Sequence, residues 1–364
     1  MIRAADTIKY LNVGIATLQK PLKVKDNPIY IQVEPTNNCN MRCKMCNRVD
    51  LVKNPKNMSL KNFKKIVNVI QPKKIALSGF GEPFMNPHLL EMVSYAKRKG
   101  ISVLTTSNFT LTHKMSAKIV KSGLDLIKIS IDAATKETYE KIRGQYKFGV
   151  IIDNIRELLD AKRELSSETP FIRFNCVLQK DNFHEIGDII KLGKDLDIDA
   201  TYFQMLELVG IEEKRDFLIG DLTYSKMKKE LVEAKKLSEQ LKINTNISSI
   251  VKNFSTYWAK YQNKQLIANN KRKCLVPWFL IYITVDGSVR PCCSFSFTKA
   301  DMGNIFEQNF EEIWNGHKYQ QLRKVFKKGI RPYRICKNCI PQTHLDLIKL
   351  QTGRLLPGFL SDYP

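Results

Sequence analysis

Cys39, Cys43 and Cys46 stand on one short loop, Cys39-Asn40-Met41-Arg42-Cys43-Lys44-Met45-Cys46, spaced by three residues and then two. Thiolates this close along a chain can converge on one inorganic centre, but a closed zinc or iron–sulfur site takes four ligands. Three cysteines on a [4Fe–4S] cluster would leave one iron open to an outside ligand. A zinc knuckle or an exposed group of thiols is the other reading of the same spacing. A fuller set lies further on: Cys274, Cys292 and Cys336-Lys337-Asn338-Cys339. Four thiolates close a cluster, or hold zinc in a ribbon. Cys176 and Cys293 are left over, the first a small buried apolar residue on a strand and the second a neighbour of the C-terminal set.

The elements that position the first loop follow from periodicity. The apolar run Ile29–Val33 is a buried strand ending just before it. Ser59 caps a helix carrying Leu60, Phe63, Ile66, Val69 and Ile70. Strands and helices then alternate. Ile75–Leu77 leads to Gly79-Phe80-Gly81-Glu82-Pro83 and a helix over Asn86–Lys99. Ile101–Thr105 leads to Ser107-Asn108 and a helix near His113–Ser122. Leu126–Ile131 leads to Asp132 and helices over Lys136–Ile142 and Gly149–Leu165. Ile172–Leu178 precedes Asp181-Asn182 and a helix over Glu185–Asp195, and Ala200–Leu206 is the last strand. Six such units predict a parallel sheet with crossover helices, whose sites gather at the C-terminal strand ends.

The cysteine spacing at the end of a first strand resembles the signature of the radical S-adenosylmethionine (SAM) enzymes. One departure is Met45, where that family usually places an aromatic residue; methionine can still form a soft apolar lid. The resemblance implies a partial (β/α)6 barrel and a cluster on Cys39, Cys43 and Cys46 whose open iron chelates SAM. Reductive cleavage of SAM would then release a 5′-deoxyadenosyl radical that abstracts hydrogen from substrate. It also implies SAM contacts. Gly81, Glu82 and Pro83 match the family's glycine-rich motif, where glycine permits close backbone approach. Ser107, Asn108, Ser130 and Asp132 fall where ribose and SAM carboxylate are met, although each could equally be a strand-end cap. Arg143 suits the SAM carboxylate, or is a surface arginine. Asn175, Phe203 and Met205 would line the SAM and adenine pocket. No catalytic acid or base is assigned, and His88, His113, His184, His317 and His344 offer no pairing.

Phe279–Val285, Asp286-Gly287 and Ser288–Arg290 read as a β-hairpin that brings Cys274 and Cys292 together. The layout, with Met302-Gly303-Asn304-Ile305 and Glu312-Ile313-Trp314-Asn315-Gly316, resembles the SPASM/Twitch group of auxiliary-cluster modules. No cysteine follows Cys339, which implies the shorter, single-cluster Twitch form, a small α+β domain, and two [4Fe–4S] clusters per chain. The expected domains are an N-terminal amphipathic helix (1–27), the barrel (28–210), a bridging helical region (211–270), the auxiliary domain (271–345) and an apolar tail (346–364).

Within 1–27, Ile8, Leu11, Ile15 and Leu18 recur at helical spacing near Lys9, Lys20, Lys23 and Lys25, predicting a helix packed on the barrel; lying on a membrane surface is the alternative. The basic run Lys318–Ile335 reads as a solvated helix face or a docking surface for an acidic peptide, a donor or lipid headgroups. Over 364 residues the net charge is +23, with 43% apolar and 26% charged residues, the composition of a globular protein. Nine cysteines, an odd count, suit metal ligation in a reducing compartment better than disulfides. No apolar run spans a bilayer, and the start lacks a secretory leader. A cytoplasmic location follows, with peripheral membrane contact as the variant. The function expected is radical oxidation or crosslinking of a peptide or small metabolite, fed by flavodoxin or ferredoxin. The rivals are radical modification or C–C coupling of membrane lipid chains, and a non-catalytic metal module. Nucleic acid is not an expected partner, since no aromatic–basic binding motif is present.

Overall fold

The computed structural model describes residues 4–144, 148–205, 220–261, 274–298, 300–330, 333–337 and 339. The strands in chain order are β1 (Tyr30–Val33), β2 (Lys74–Leu77), β3 (Ser102–Ser107), β4 (Leu126–Ser130), β5 (Phe171–Leu178), β6 (Ala200–Met205), β7 (Leu280–Ile283), β8 (Ser288–Arg290) and β9 (Gly303–Asn304). The principal helices are α1 (Ala4–Gln19), α2 (Leu60–Ile70), α3 (Leu89–Arg98), α4 (Ser116–Lys121), α5 (Lys136–Arg143), α6 (Phe148–Glu164), α7 (Ile186–Asp195), α8 (Tyr224–Gln240), α9 (Ile247–Tyr261), α10 (Phe310–Trp314) and α11 (His317–Lys327). The chain forms two compact units. The first holds residues 1–38, 54–105 and 269–364, and the second holds 39–53 and 106–268.

In the first unit β1 is central. It is buried throughout, and its one amide side chain, Gln32, donates to the Ser78 carbonyl at 3.2 Å and to the Ser78 hydroxyl at 3.1 Å. It pairs in parallel with β2, β2 with β3, and on its other edge β1 pairs in parallel with β7, Tyr30 opposite Leu280 through Val33 opposite Ile283. The C-terminal hairpin therefore continues the sheet of β1. Strand β8 returns antiparallel on β7, and β9 on β8. The Asp286-Gly287 turn works as its sequence predicts: Gly287 sits at φ +88°, open to glycine without strain. Helix α2 starts at Ser59, whose hydroxyl accepts the Asn62 N–H at 3.1 Å.

In the second unit β4, β5 and β6 are parallel neighbours in that order. One face of β5 and β6 carries Cys176, Leu178, Phe203 and Met205 into an apolar core with α7, α8 and α9, including Ile186, Ile190, Leu231 and Phe254. The other face carries Arg173, Asn175 and Tyr202, with Asn175 opposite Ser130 on β4 and Tyr202 on β6. The six expected parallel strands are all present, and the sheet does not close into a barrel.

Two expectations are corrected. The face of α1 expected to pack inward points outward: Ile8, Leu11, Ile15 and Leu18 are 48–68% exposed, whereas Val13, Ala16 and Thr17 are buried. The smaller side chains let the helix lie close to its support. The basic run is not uniformly solvated either. Arg323 is fully buried, its guanidinium 4.3 Å from the Trp314 ring centroid and 5.1 Å from that of Tyr319. Burial lowers its pKa to about 10. The apolar tail and His344 lie outside the described residues. Among those residues no helix is long and apolar enough to cross a membrane.

Candidate iron–sulfur and SAM sites

The loop from Cys39 to Cys46 belongs to the second unit, where all three thiols are half-buried. Cys46 N–H closes a turn on the Cys43 carbonyl at 3.0 Å, and Lys44 N–H reaches the Ile142 carbonyl at the end of α5. Each sulfur has a donor. Met41 N–H points at Cys39 Sγ (3.5 Å), Arg48 N–H at Cys46 Sγ (3.4 Å) and Arg143 Nη1 at Cys43 Sγ (3.9 Å). Such donors favour thiolate over thiol. Burial pushes the Cys43 thiol up, against the pull of the Arg143 cation.

Arg143 is itself fixed. Its Nε and Nη2 both lie 2.5 Å from Asp132 Oδ2, and Asp132 Oδ1 accepts the Val177 N–H at 2.7 Å. The Asp132 charge raises the Arg143 pKa far above its ordinary value despite burial. Asp132 and Arg143, expected on ribose and SAM carboxylate, are thus bound to each other. The fully buried Asp132 carboxylate accepts from Arg143 on one oxygen and from Val177 N–H on the other.

Asn108 serves the same loop, and Ser107 braces the turn that carries Asn108. Asn108 Nδ2 donates to Asn40 Oδ1 at 2.9 Å, Asn40 donates to Thr110 Oγ1 at 2.8 Å, and Ser107 Oγ accepts Phe109 N–H at 2.8 Å. Ser130 is half-buried at the end of β4, and Asn175 Oδ1 accepts from Arg173 Nε at 2.9 Å. Phe203 and Met205 belong instead to the helix-covered core, on the face opposite Asn175, because successive strand residues alternate. Tyr202 and Gln204 occupy the Asn175 side. Met45 Sδ accepts from Gln179 Nε2 at 3.5 Å, which holds the lid residue in place.

The glycine-rich turn lies in the first unit. A Cβ on Gly81 would overlap the carbonyl oxygens of Thr36 and Asn38, and one on Gly79 would overlap the Glu34 side chain. Glu82 N–H donates to the Asn38 carbonyl at 2.8 Å while its carboxylate caps Phe84 N–H at 3.2 Å, with Pro83 opening the short helix that follows. Gly81→Ala is expected to cost about 2 kcal/mol or more, because both obstacles are backbone. Chemical denaturation of the variant checks it.

Sequence reasoning passed over Glu34 and Asn182. Glu34 is buried at the end of β1, accepting Phe80 N–H at 2.8 Å and Val285 N–H at 3.2 Å, and bonded to the Tyr282 side chain. Burial raises its pKa. Asn182, fully buried, donates to the carbonyls of Asp132 (2.8 Å) and Val177 (2.9 Å), locking the ends of β4 and β5. A lone acid closing an apolar strand, and an amide just past one, were the available signals.

Cys274, Cys292, Cys336 and Cys339 come together in the first unit. The Cys274 thiol is pushed up by burial and then by Cys292, Cys339 and Cys336. Cys293 joins them, pushed up to about 11 by burial and Cys339. Among the described residues no three Cys, His, Asp or Glu side chains form a single-ion site. Soft thiols grouped in this way, with N–H donors on the loop sulfurs, have the donor chemistry of iron–sulfur clusters.

Parallel β/α units, a three-thiol loop and a four-thiol hairpin module describe an enzyme that works through such clusters. Residues 33–193 match the radical SAM superfamily, and residues 274–340 match the iron–sulfur cluster-binding domain SPASM. The chain carries a radical SAM domain and a C-terminal SPASM domain, and these imply [4Fe–4S] clusters and SAM as its cofactors. It is 22% identical to the tungsten-containing aldehyde ferredoxin oxidoreductase cofactor-modifying protein of Pyrococcus furiosus over 339 residues, 88% of this chain and 89% of that protein. It is 24% identical over 304 residues to AlbA, the antilisterial bacteriocin subtilosin biosynthesis protein of Bacillus subtilis, covering 81% of this chain and 62% of AlbA. The fold is similar to that of Streptococcus suis SuiB bound to precursor peptide SuiA (TM-score 0.64, 13% identity, 96% of this chain and 78% of SuiB). These matches do not favour a non-catalytic nucleic-acid module.

Proposed function

We propose that this enzyme removes hydrogen from an unactivated carbon of a peptide or small metabolite and leaves it oxidised or crosslinked. Cys39, Cys43 and Cys46 would hold the SAM-binding cluster, and Cys274, Cys292, Cys336 and Cys339 a single auxiliary cluster. When bound, the loop cluster and SAM supply the hydrogen-abstracting radical. The chain's own residues do the rest: Gly81, Glu82 and Pro83, with Ser130, Asn175 and Arg143, orient SAM, and Asp132 holds Arg143. The observation that supports an oxidation is the gathering of Cys274, Cys292, Cys336 and Cys339 into a second set of thiols, which could hold an electron-accepting cluster. An electron leaving substrate would find an acceptor in that module. A small one-electron donor, flavodoxin or ferredoxin, would reduce the first centre. Peptide is the favoured substrate class because AlbA belongs to bacteriocin biosynthesis and SuiB binds a precursor peptide.

Anaerobic reconstitution is expected to give about eight iron per chain and reductant-dependent 5′-deoxyadenosine. Cys39→Ala, Cys43→Ala or Cys46→Ala should abolish SAM cleavage, and surviving cleavage would refute the loop assignment. Cys336→Ala with Cys339→Ala should spare some cleavage while ending conversion of a peptide to a product two hydrogens lighter.

A further inference from the structure

We propose that the outward face of α1, together with the lysines at its foot, docks on an anionic lipid bilayer. Ile8, Leu11, Ile15 and Leu18 run along one side of the helix, and Leu22, 38% exposed, continues the line. The helix cannot roll to hide them. Its other side is already in use, with Val13, Ala16 and Thr17 buried.

The segment that follows is pinned at four residues. Trp278 Nε1 donates to the Pro21 carbonyl at 2.9 Å, and Arg323 Nη1 to the Leu22 carbonyl at 2.9 Å. The Asn315 side chain accepts from Val24 N–H and donates to the Val24 carbonyl, both at 2.8 Å. Trp314 Nε1 donates to the Asp26 carbonyl at 3.1 Å. The buried Arg323 side chain is thereby a bracket for the helix. An aliphatic row held this firmly is a presented surface, since solvent-facing helices ordinarily place polar residues there.

Charge selects the occupant. Lys23 and Lys25 are exposed in the pinned segment, and Lys324, Lys327 and Lys328 are exposed on α11, whose Arg323 grips Leu22. The acids on the same elements are Asp6, Asp26, Glu311 and Glu312, and Glu311 is engaged by Asn315. The balance is basic, in a chain of net charge +23. The helix has 16 residues, about 24 Å lying flat. Laid in the interface, it would bury its aliphatic row at the acyl boundary while the lysines reach lipid phosphates. An aliphatic row flanked by a net positive charge matches the two attractions, apolar burial and anionic headgroups, that hold a helix in a bilayer interface.

The test is flotation of the full-length, anaerobically reconstituted protein with phosphatidylcholine vesicles, with and without phosphatidylglycerol. Binding should need the anionic lipid and fall as salt is raised. Leu11→Glu with Leu18→Glu should weaken binding about tenfold or more, from lost apolar burial. Lys23, Lys25, Lys324 and Lys327 changed together to Gln should remove the salt-dependent part. Both variants alter exposed side chains, and an unchanged circular dichroism melt verifies their fold. Equal binding to neutral vesicles, unchanged binding by the variants, or no flotation overturns the proposal. So does a solution dimer that Leu11→Glu with Leu18→Glu dissociates, which would give the face to a second copy of the chain.

Discussion

Arg143→Met is expected to cost about 3–5 kcal/mol of folding stability, because it strands a buried carboxylate. Asp132 lies at zero exposure, with two guanidinium nitrogens on one oxygen and a single backbone N–H on the other. Adding Asp132→Asn should recover much of the loss, since it removes the charge that Arg143 compensates. Urea unfolding midpoints of the two single variants and the double variant measure this directly, and an unchanged midpoint in Arg143→Met would discard the pair as a fastening. The same guanidinium faces Cys43 Sγ. Its removal should make a cluster bound at that thiolate harder to reduce, by on the order of 100 mV for one charge lost a few Å away at an effective dielectric near 20. A redox titration followed by electron paramagnetic resonance reads that shift independently of turnover.

Glu34→Ala is the second large effect. It leaves the N–H groups of Phe80 and Val285 buried without an acceptor, each worth about 1–3 kcal/mol. Its pH dependence has a defined sign. Burial raises the folded pKa of Glu34 above its usual 4.5, so the native state holds the proton to higher pH than the unfolded chain. That contribution favours folding below 4.5 and is lost as pH rises through the folded value. Glu34→Gln keeps one acceptor oxygen and cannot ionise. Its unfolding midpoint should therefore fall less steeply than that of the wild type as pH rises above the ordinary carboxylate range. Parallel slopes would show that Glu34 stays ionised in the native state.

The parallel β/α order was readable because each strand is a short apolar run ended by a turn residue, and the hairpin because Asp286-Gly287 separates two such runs. The two cysteine sets were readable from spacing. What the linear chain hides is the destination of a side chain. Asp132 was read from its place at a strand end and Arg143 from its guanidinium, and their pairing across eleven residues is what spacing alone does not show. Phe203 and Met205 were read as pocket residues from their place on the sixth strand, and one step of strand alternation puts them on the helix side. Arg323 looked like one more cation in a basic run. Only the fold supplies the two aromatic rings and three backbone or amide acceptors that make its burial tolerable. The α1 stripe was legible as amphipathic, but periodicity cannot say which way a helix turns when small residues on its other side allow closer packing.

The parallel register of Tyr30 with Leu280 also sets a timetable for biosynthesis. On the ribosome the second neighbour of β1 emerges about 250 residues later, roughly 10–50 s at ordinary elongation rates. Until then this buried strand has one ladder of amides and carbonyls unmatched, which is the geometry that invites mispairing with other chains. Heterologous production at high expression rates should consequently favour inclusion bodies, and slower translation at low temperature should raise the recovered fraction.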